Sequence, residues 1–291
     1  MNQLHAERIK YITAVVLYGT VGMFLRFSGM PGEFVAMCRG ILGTAFILLY
    51  MRMRKMPFGM EAVRKNAGLL ILSGVLLGLN WIFLFAAYII TTVAIASLCN
   101  YMAPLIVVLV APLVLKEKLN AKKLFCVFLA FAGILLVSGV LEGESGNLPG
   151  IVTGLLAALA FVGIVLCNRK LKGVGVYERA VVQLAVSALT ILPYVIYKNA
   201  GTALPWNTRA VLIVVMLGIV HTGFAYCLYF SGMATLPVQT VAVLGYLEPV
   251  VSVLCSAIFL HEAMSPLGWA GAALIIAAAV ISDCTGGASP E

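Results

Sequence analysis

Two short segments place polar residues inside long apolar runs. The first is Asn100-Tyr101-Met102-Ala103-Pro104 and the second is Gly245-Tyr246-Leu247-Glu248-Pro249. A proline inside a helix removes one backbone hydrogen bond and frees the carbonyl group one turn earlier. At membrane depth that carbonyl needs a side chain, a water molecule or a solute as its partner. The segments therefore predict two interrupted helices with a polar patch, in which Pro104 and Pro249 act as hinges.

Glu248 is the acidic residue best placed near the middle of an apolar run. An isolated charge there costs at least about 2.5 kcal/mol, so we expect the carboxyl group to be neutral, paired or in contact with water. Such a group could bind a proton or the ammonium group of a substrate. It could instead be a neutral acid that caps a local carbonyl. The equivalent residue of the first segment is Ala103, so the acid has no counterpart there.

Other polar and aromatic residues at the same depth are candidates for the wall of a solute cavity. Aromatic rings such as Trp81 and Tyr226 could stack on a planar or cationic solute, and His221 could titrate near neutral pH. Each of them could equally be an ordinary helix-packing residue. Arg39 could contact a substrate carboxylate or line an outer gate, or it could be an arginine with a structural partner. The cavity candidates are Asn80, Trp81, Asn100, Tyr101, His221, Tyr226, Gln239, Tyr246 and Glu248.

The composition decides what kind of protein could position these residues. The chain has 291 residues, of which 63% are hydrophobic and 10% are charged, with a mean hydropathy of +1.08. A soluble domain carries about 25% charged residues, so lipid must be the solvent for most of this chain. A helix that crosses a bilayer needs about 20 apolar residues. The sequence therefore predicts an all-α polytopic membrane protein with ten transmembrane helices, at residues 10–27, 33–51, 67–88, 92–115, 122–141, 149–168, 177–197, 209–230, 237–260 and 266–283.

The two polar segments belong to two copies of one unit that are offset by 145 residues. At this offset Gly78 matches Gly223, and Glu117 matches Glu262. Because each copy has an odd number of spans, the second must be inverted, which gives a five-plus-five inverted repeat. Paired interrupted helices in such repeats indicate the binding site of a transporter. The repeats are predicted at 1–141 and 149–291, with an outside linker at 142–148 and a short cytoplasmic tail.

The distribution of charge predicts the orientation. Fifteen of the 19 lysines and arginines fall on the side that carries both termini. By the positive-inside rule this side is cytoplasmic, as in a multi-pass protein of the cytoplasmic (inner) membrane. The net charge of +8 thus reflects topology, and we expect no nucleic-acid partner. Glu117 and Glu262 each precede a residue that could cap the next helix, and we interpret them as locks that bind that helix or a neighbouring lysine.

Several classes of chemistry find no support in the sequence. The seven cysteines are scattered without a Cys-x-x-Cys pair, and the three histidines are dispersed, so we expect no disulfide and no metal site. No phosphate-binding loop or spacing typical of a catalytic triad occurs. The sequence therefore predicts neither a cofactor nor an enzyme.

The features described above resemble the EamA type of the drug/metabolite transporter superfamily. The similarity lies in the ten spans, the inverted repeat, Glu248-Pro249 in span 9, and the glutamates that close the fourth span of each half. It is strongest over 78–117 and 223–262, while the span pattern covers essentially the whole chain. The resemblance implies a carrier for small metabolites, amino acids or related solutes that works by alternating access around a central cavity, with efflux favoured. Proton coupling through Glu248 is an extension of this hypothesis.

Three other functions are compatible with parts of the pattern. An uptake carrier for a small organic cation or a nucleoside-like solute would suit the aromatic residues and the single acid. An intramembrane enzyme acting on a lipid or isoprenoid would need clustered acids or histidines near one interface, and the sequence offers none. A structural scaffold would leave the matched breaks and Glu248 unexplained. Both a monomer and a homodimer agree with the sequence.

Overall fold

All regular structure in the described part of the chain is helical, which confirms the predicted all-α class. The computed structural model describes residues 2–115, 121–137, 141, 147–199, 203–236 and 238–285. The α-helices are α1 (Asn2–Ser28), α2 (Gly32–Met53), α3 (Met60–Lys65), α4 (Ala67–Ile90), α5 (Val93–Asn100), α6 (Ala103–Leu115), α7 (Ala121–Val137), α8 (Leu148–Lys170), α9 (Val176–Lys198), α10 (Thr208–Gly218), α11 (Ala225–Thr235), α12 (Val238–Gly245), α13 (Leu247–Phe259) and α14 (Pro266–Thr285).

Within the described residues, six helical segments are long and apolar enough to cross a membrane. They are Leu4–Ser28, Gly32–Met53, Ala67–Ile90, Leu148–Lys170, Val176–Lys198 and Thr208–Gly232. Shorter apolar helices lie within the other four predicted spans, at Val93–Val107, Leu124–Val137, Leu247–Phe259 and Pro266–Ala278. In two of these spans the helices are short because a break divides the span into two helices. The protein is therefore a multi-pass membrane protein, and the number ten stays a prediction.

The two breaks lie at the tyrosines of the paired polar segments. Helix α5 ends before Tyr101 and α6 begins at Ala103, while Tyr246 alone separates α12 from α13. Each proline then falls in the first turn of the following helix, where a missing N–H group costs little because that group has no helical partner. The break thus comes just before Pro104 and Pro249, and each long apolar run becomes two short helices.

A widened turn that the sequence did not predict joins α10 to α11. Residues Ile219–Phe224 form a π-helix within a span that we expected to be α-helical throughout. The hydroxyl of Thr222 donates a hydrogen bond to the carbonyl oxygen of Leu217 at 2.9 Å, five residues back. Single π-helical turns of this kind are frequent at functional sites because they redirect side chains.

Helices from the first half of the chain pack mainly on helices from the second half. Helix α4 packs on α8 and α9, α2 on α9 and the π-helix, α7 on α14, and α1 on α11 and α13. Glycines allow the closest of these contacts. A Cβ atom on Gly74 would lie 2.6 Å from Val186 Cβ, and one on Gly78 would lie 2.9 Å from Thr190 Cβ. Such small faces let membrane helices approach without a hydrophobic driving force.

The turn after α13 corrects one expectation. We expected Glu262 to bind the next helix or a nearby lysine, but the hydroxyl of Ser265 caps α14 by accepting a hydrogen bond from Gly268 N at 3.0 Å. Glu262 instead accepts a hydrogen bond from the backbone N of Val93, at the start of α5. The sequence could not indicate this partner because it lies 169 residues away. Its counterpart Glu117 lies outside the described residues.

Candidate functional site

A central cavity of about 540 Å³ lies between the helices of the two halves. This volume is in the range of small-molecule sites, about 300–1,000 Å³. Its walls come from α1, α2, α4, α5, α8, α9, α11 and α13. The cavity candidates predicted from the sequence lie in spans 3, 4, 8 and 9, but residues of spans 1, 2, 6 and 7 contribute to the wall as well. The cavity reaches Asn168 and Arg169 at the end of α8 and Arg179 near the start of α9.

The structure brings six of the predicted residues together on the wall of this cavity: Arg39, Asn80, Trp81, Asn100, Tyr226 and Glu248. Tyr101 lies next to them, where it lines a small polar recess behind Glu248. His221 and Tyr246 are not among the residues that line the cavity. The side chain of Gln239 lies outside the described part of the structure.

His221 and Tyr246 have structural partners instead. His221 is only 2% exposed, its Nε2 lies 3.0 Å from the hydroxyl oxygen of Thr20, and its ring meets Phe24 edge-on. Tyr246 is buried in the apolar cluster that surrounds α5 and α6. Depth in the membrane was the only property that the sequence could give for these residues. Which face of the helix they occupy depends on the packing of distant helices.

Arg39 is buried in α2 and is held at the cavity by three contacts. Its Nε donates a hydrogen bond to the hydroxyl oxygen of Thr222 at 2.9 Å, and the π-helix presents that hydroxyl. Its guanidinium carbon lies 4.8 Å from the ring centroid of Trp81 and 5.4 Å from that of Phe85. Aromatic faces attract cations, most strongly when water is excluded. Among the described carboxylates, none forms an ion pair with Arg39, so its charge is available to a solute.

Glu248 lies in the first turn of α13, so the break in the helix determines its position. The N-terminal end of a helix favours a negative charge. Glu248 Oε2 accepts a hydrogen bond of 2.6 Å from the hydroxyl of Tyr101, which also donates to the carbonyl oxygen of Gly245 at 3.2 Å. Tyr101 thus links the two interrupted helices. It also provides a partner for the backbone carbonyl that the second break frees.

Asn80 connects three of the cavity helices. Its Nδ2 donates to the carbonyl oxygen of Ala157 in α8 at 2.8 Å and to Asn100 Oδ1 in α5 at 3.1 Å. Both contacts use the Nδ2 donors, so Asn80 fixes the wall with its NH2 group and has only Oδ1 left to accept a hydrogen bond from a solute. Among the described residues, no group of three or more histidine, cysteine or acidic side chains is placed to hold a metal ion.

Sequence reasoning missed several polar residues of the site. Thr222 positions Arg39, while Tyr18, Arg179 and Gln183 line the cavity. Gln183 Nε2 donates to both Ser73 and Asn168 at 2.7 Å. Each of these residues is a polar group in an otherwise apolar span, and that signal could have identified them. They were overlooked because most lie in spans 1 and 7, away from the paired segments.

Long apolar helices around an internal cavity of solute size define a multi-pass membrane protein with room for a small molecule. The chain belongs to the EamA-like transporter family, whose model matches residues 9–139 and 148–282. This confirms the family that the sequence resembles. Because the family and two of the relatives given below, YxxF and YddG, are transporters, it also confirms that the protein is not an enzyme.

Individual relatives and one solved structure agree with this assignment. The chain is 26% identical over 255 residues to the uncharacterized transporter YxxF of Bacillus subtilis, covering 86% of this chain and 81% of that one. It is 30% identical over 245 residues to protein RarD of Streptomyces exfoliatus (83% and 74% covered). It is 29% identical over 205 residues to the aromatic amino acid exporter YddG of Ancylobacter novellus (69% and 70%). A protein crystal structure with 22% identity matches 95% of this chain and 97% of its own with a TM-score of 0.67, which shows the same fold.

Proposed function

We propose that the protein is a secondary active carrier that exports amino acids, aromatic ones foremost, across the cytoplasmic membrane. The presence of Arg39 and Glu248 on the wall of one largely aromatic and aliphatic cavity carries this proposal. An amino acid has a carboxylate and an ammonium group. Each charged residue of the cavity therefore has a matching group on the solute.

The free hydrogen-bonding capacity of the two residues supports this pairing. Arg39 uses Nε for Thr222, and its terminal nitrogens are well suited to a carboxylate because the guanidinium group presents parallel donors. Glu248 accepts from Tyr101 with one oxygen, which leaves the other for an ammonium group. Trp81 and Tyr226 on the same wall could stack on an aromatic side chain.

The charge of the cavity wall favours a solute that carries a carboxylate. Of the described residues that line it, three are arginines, Arg39, Arg169 and Arg179, and one is an acid, Glu248. A cavity lined mainly by one sign of charge attracts the opposite sign. This weighs against uptake of an organic cation, although the aromatic walls alone would suit one.

The pairing of helices supports ten transmembrane helices in two inverted repeats, at 1–141 and 149–291. When each helix is replaced by its counterpart in the other half, the contact of α4 with α8 becomes that of α11 with α1, and both occur. The contacts of α2 with α9 and of α7 with α14 each join corresponding helices. Such approximate two-fold symmetry is what alternating access requires, because one scaffold can then open to either side.

The position of the cavity supports access of a solute from the cytoplasm. It reaches the basic residues at the end of α8 and the start of α9, a side that the positive-inside rule places in the cytoplasm together with both termini. A cavity open to the cytoplasm is the state in which an exporter loads its substrate. The aromatic amino acid exporter among the relatives agrees with this direction, and we propose proton coupling through Glu248.

Three ligands that share a phenyl ring test the proposed chemistry. L-Phenylalanine carries both charges, phenethylamine lacks the carboxylate, and 3-phenylpropionate lacks the ammonium group. In a thermal-shift assay a ligand at about 100 times its Kd stabilises a protein by roughly 2.7 kcal/mol. We expect phenylalanine to bind the wild type most tightly. Arg39→Met should abolish its advantage over phenethylamine, and Glu248→Gln should abolish its advantage over phenylpropionate.

Each of these differences in affinity should be about tenfold or more, since a hydrogen bond to a charged group contributes about 1.5–3 kcal/mol. Arg209→Met is the matched control, because Arg209 also lies over an aromatic ring, that of Phe27, but does not line the cavity. It should leave the ranking of the three ligands unchanged. Tighter binding of phenethylamine than of phenylalanine would favour the organic-cation carrier. If no ligand stabilised the wild type at millimolar concentration, the proposed substrate class would be wrong. Efflux of labelled phenylalanine from proteoliposomes would then test the direction.

A further inference from the structure

Glu262 closes the end of the helix bundle opposite the cavity mouth. Its Oε1 lies 3.0 Å from Arg26 Nη2 at the end of α1, and its Oε2 accepts a hydrogen bond of 2.8 Å from Val93 N at the start of α5. Arg26 Nη2 also donates to the carbonyl oxygen of Thr91 at 2.7 Å. We infer that Glu262 is the residue that locks the outer gate, and that its bonds must break before the cavity can open to the outside. This inference rests on the alternating access proposed above.

The lock completes the cap of a helix in the other half of the protein. The first N–H groups of a helix have no partner within it. In α5 the N–H of Val93 donates to Glu262, and that of Ala94 donates to the hydroxyl oxygen of Ser256 at 3.3 Å. Ser256 in turn donates to Glu262 Oε2, while Thr92 of the first half supplies the usual side-chain cap. When the halves separate at this end, α5 therefore loses two of its capping bonds together.

The turn before Glu262 aims the carboxylate at α5. His261 has a φ of +52°, the left-handed region that glycine usually occupies. Glu262 N then donates to the carbonyl oxygen of Ser256 at 3.1 Å, which closes the turn onto the end of α13. A strained residue of this kind persists where its surroundings fix it, and such residues cluster at switches and ligand clamps. The position of Glu262 is thus set by the backbone.

The exposure of the lock allows it to open. The side chain of Arg26 is 32% exposed and that of Glu262 is 14% exposed, so water is close to both. Breaking an ion pair in a dry interior leaves two uncompensated charges, whereas a pair at the boundary can be hydrated as it separates. The bond to the N-terminus of a helix adds stability to the closed state because the helix dipole favours a carboxylate there. The contact therefore stabilises the closed state, and water can reach its two charged groups as they separate.

Labelling of a cysteine in the cavity from each side of the membrane tests the lock. The native cysteines are replaced, and Leu84, which lines the cavity, is changed to cysteine. A membrane-impermeant maleimide is then applied to right-side-out and to inside-out vesicles. We expect Glu262→Gln to raise the rate of labelling from the outside about tenfold, since a hydrogen bond to a charged group is lost and the population shifts accordingly. Arg26→Gln should give a smaller rise, because the bond to Val93 remains.

The double variant Arg26→Gln/Glu262→Gln should exceed Glu262→Gln alone by little, because residues that act on each other are not additive. Glu33→Gln is the matched control. Glu33 is also a buried acid at this end, in the first turn of α2, but its partners are Lys198 at 3.3 Å and Asn199 at the end of α9, and it makes no described bond to Arg26 or to α5. It should leave both labelling rates unchanged. Each variant is first checked for a single elution peak.

Two further outcomes separate the lock from the carrier hypothesis. Labelling from both sides at rates that Glu262→Gln and Arg26→Gln do not change would overturn the lock and leave alternating access standing. A cavity cysteine that never reacts from the outside in any variant, even with substrate present on both sides, would contradict alternating access and the lock with it.

Discussion

At Gly19, helix α1 packs closely against α13, next to Glu248. A Cβ atom at this position would lie 2.6 Å from the backbone oxygen of Glu248 and 2.7 Å from Val251 Cβ. Ordinary contact begins at 3.4 Å, so the first distance is about 0.8 Å too short for a packed core. A backbone oxygen within a helix cannot move alone. Gly19→Ala should therefore push the two helices apart.

Two opposing effects determine how much Gly19→Ala changes the free energy of unfolding. Alanine favours a helix over glycine by about 1 kcal/mol, whereas extra atoms in a packed core cost about 1–3 kcal/mol. Because one clash is with backbone and another with a Cβ atom, we expect the upper part of that cost. The variant should be less stable than the wild type by about 1–2 kcal/mol, which lowers Tm by several degrees. Binding of phenylalanine should weaken too, since α13 carries Glu248.

Thermal unfolding of the purified protein, followed by tryptophan fluorescence, measures this change. Gly68→Ala is the matched control, because Gly68 is an exposed residue of α4 and a Cβ atom there would meet nothing within 4 Å. It should be neutral or stabilising by up to about 1 kcal/mol. If Gly19→Ala were as stable as Gly68→Ala, the close contact of α1 with α13 would not have the importance that we assign to it.

Two more substitutions test the centre of the site. Tyr101→Phe removes the hydroxyl that donates to Glu248 and Gly245, so it should lower the free energy of unfolding by about 1–3 kcal/mol; Tyr197→Phe, at a position 82% exposed, should change nothing in the same unfolding assay. Glu248→Gln keeps the size of the side chain but cannot carry a proton, so an imposed pH gradient should no longer accelerate efflux from proteoliposomes. If the gradient accelerated the variant as strongly as the wild type, coupling through Glu248 would be wrong.

The class of fold and the breaks could be predicted because both depend on local signals. Composition alone requires lipid as the solvent, and a proline in an apolar run marks an interrupted helix wherever it occurs. The candidate site could be predicted only in part. Trp81 and Glu248 line the cavity, but His221, in an equally apolar span, bonds to Thr20 on another helix. Whether a side chain lies at the cavity or against another helix depends on partners far away in the sequence.

The remaining features depend on such distant partners. Nothing local in residues 219–224 indicates a π-helix, and it is this turn that brings Thr222 to Arg39. The partner of Glu262 was also predicted wrongly. Ser265 already caps the next helix, whereas the N-terminus of α5 in the other half has a free N–H group, that of Val93, which donates to the carboxylate of Glu262. The packing of the helices decides which of several possible partners a side chain binds, and the sequence alone does not distinguish between these partners.

The pairing of helices across the two halves has a consequence for the synthesis of the protein. Each apolar cluster among the described residues contains residues from both halves, so the two halves share their core. The ribosome delivers the first half first. Until α8 and α9 enter the bilayer, the glycine face of α4 lacks the helices on which it packs, and Arg39 lacks the hydroxyl of Thr222 until the π-helix follows. We therefore expect the first half to remain incompletely packed, and the charge of Arg39 to stay in contact with water, until the second half has been inserted.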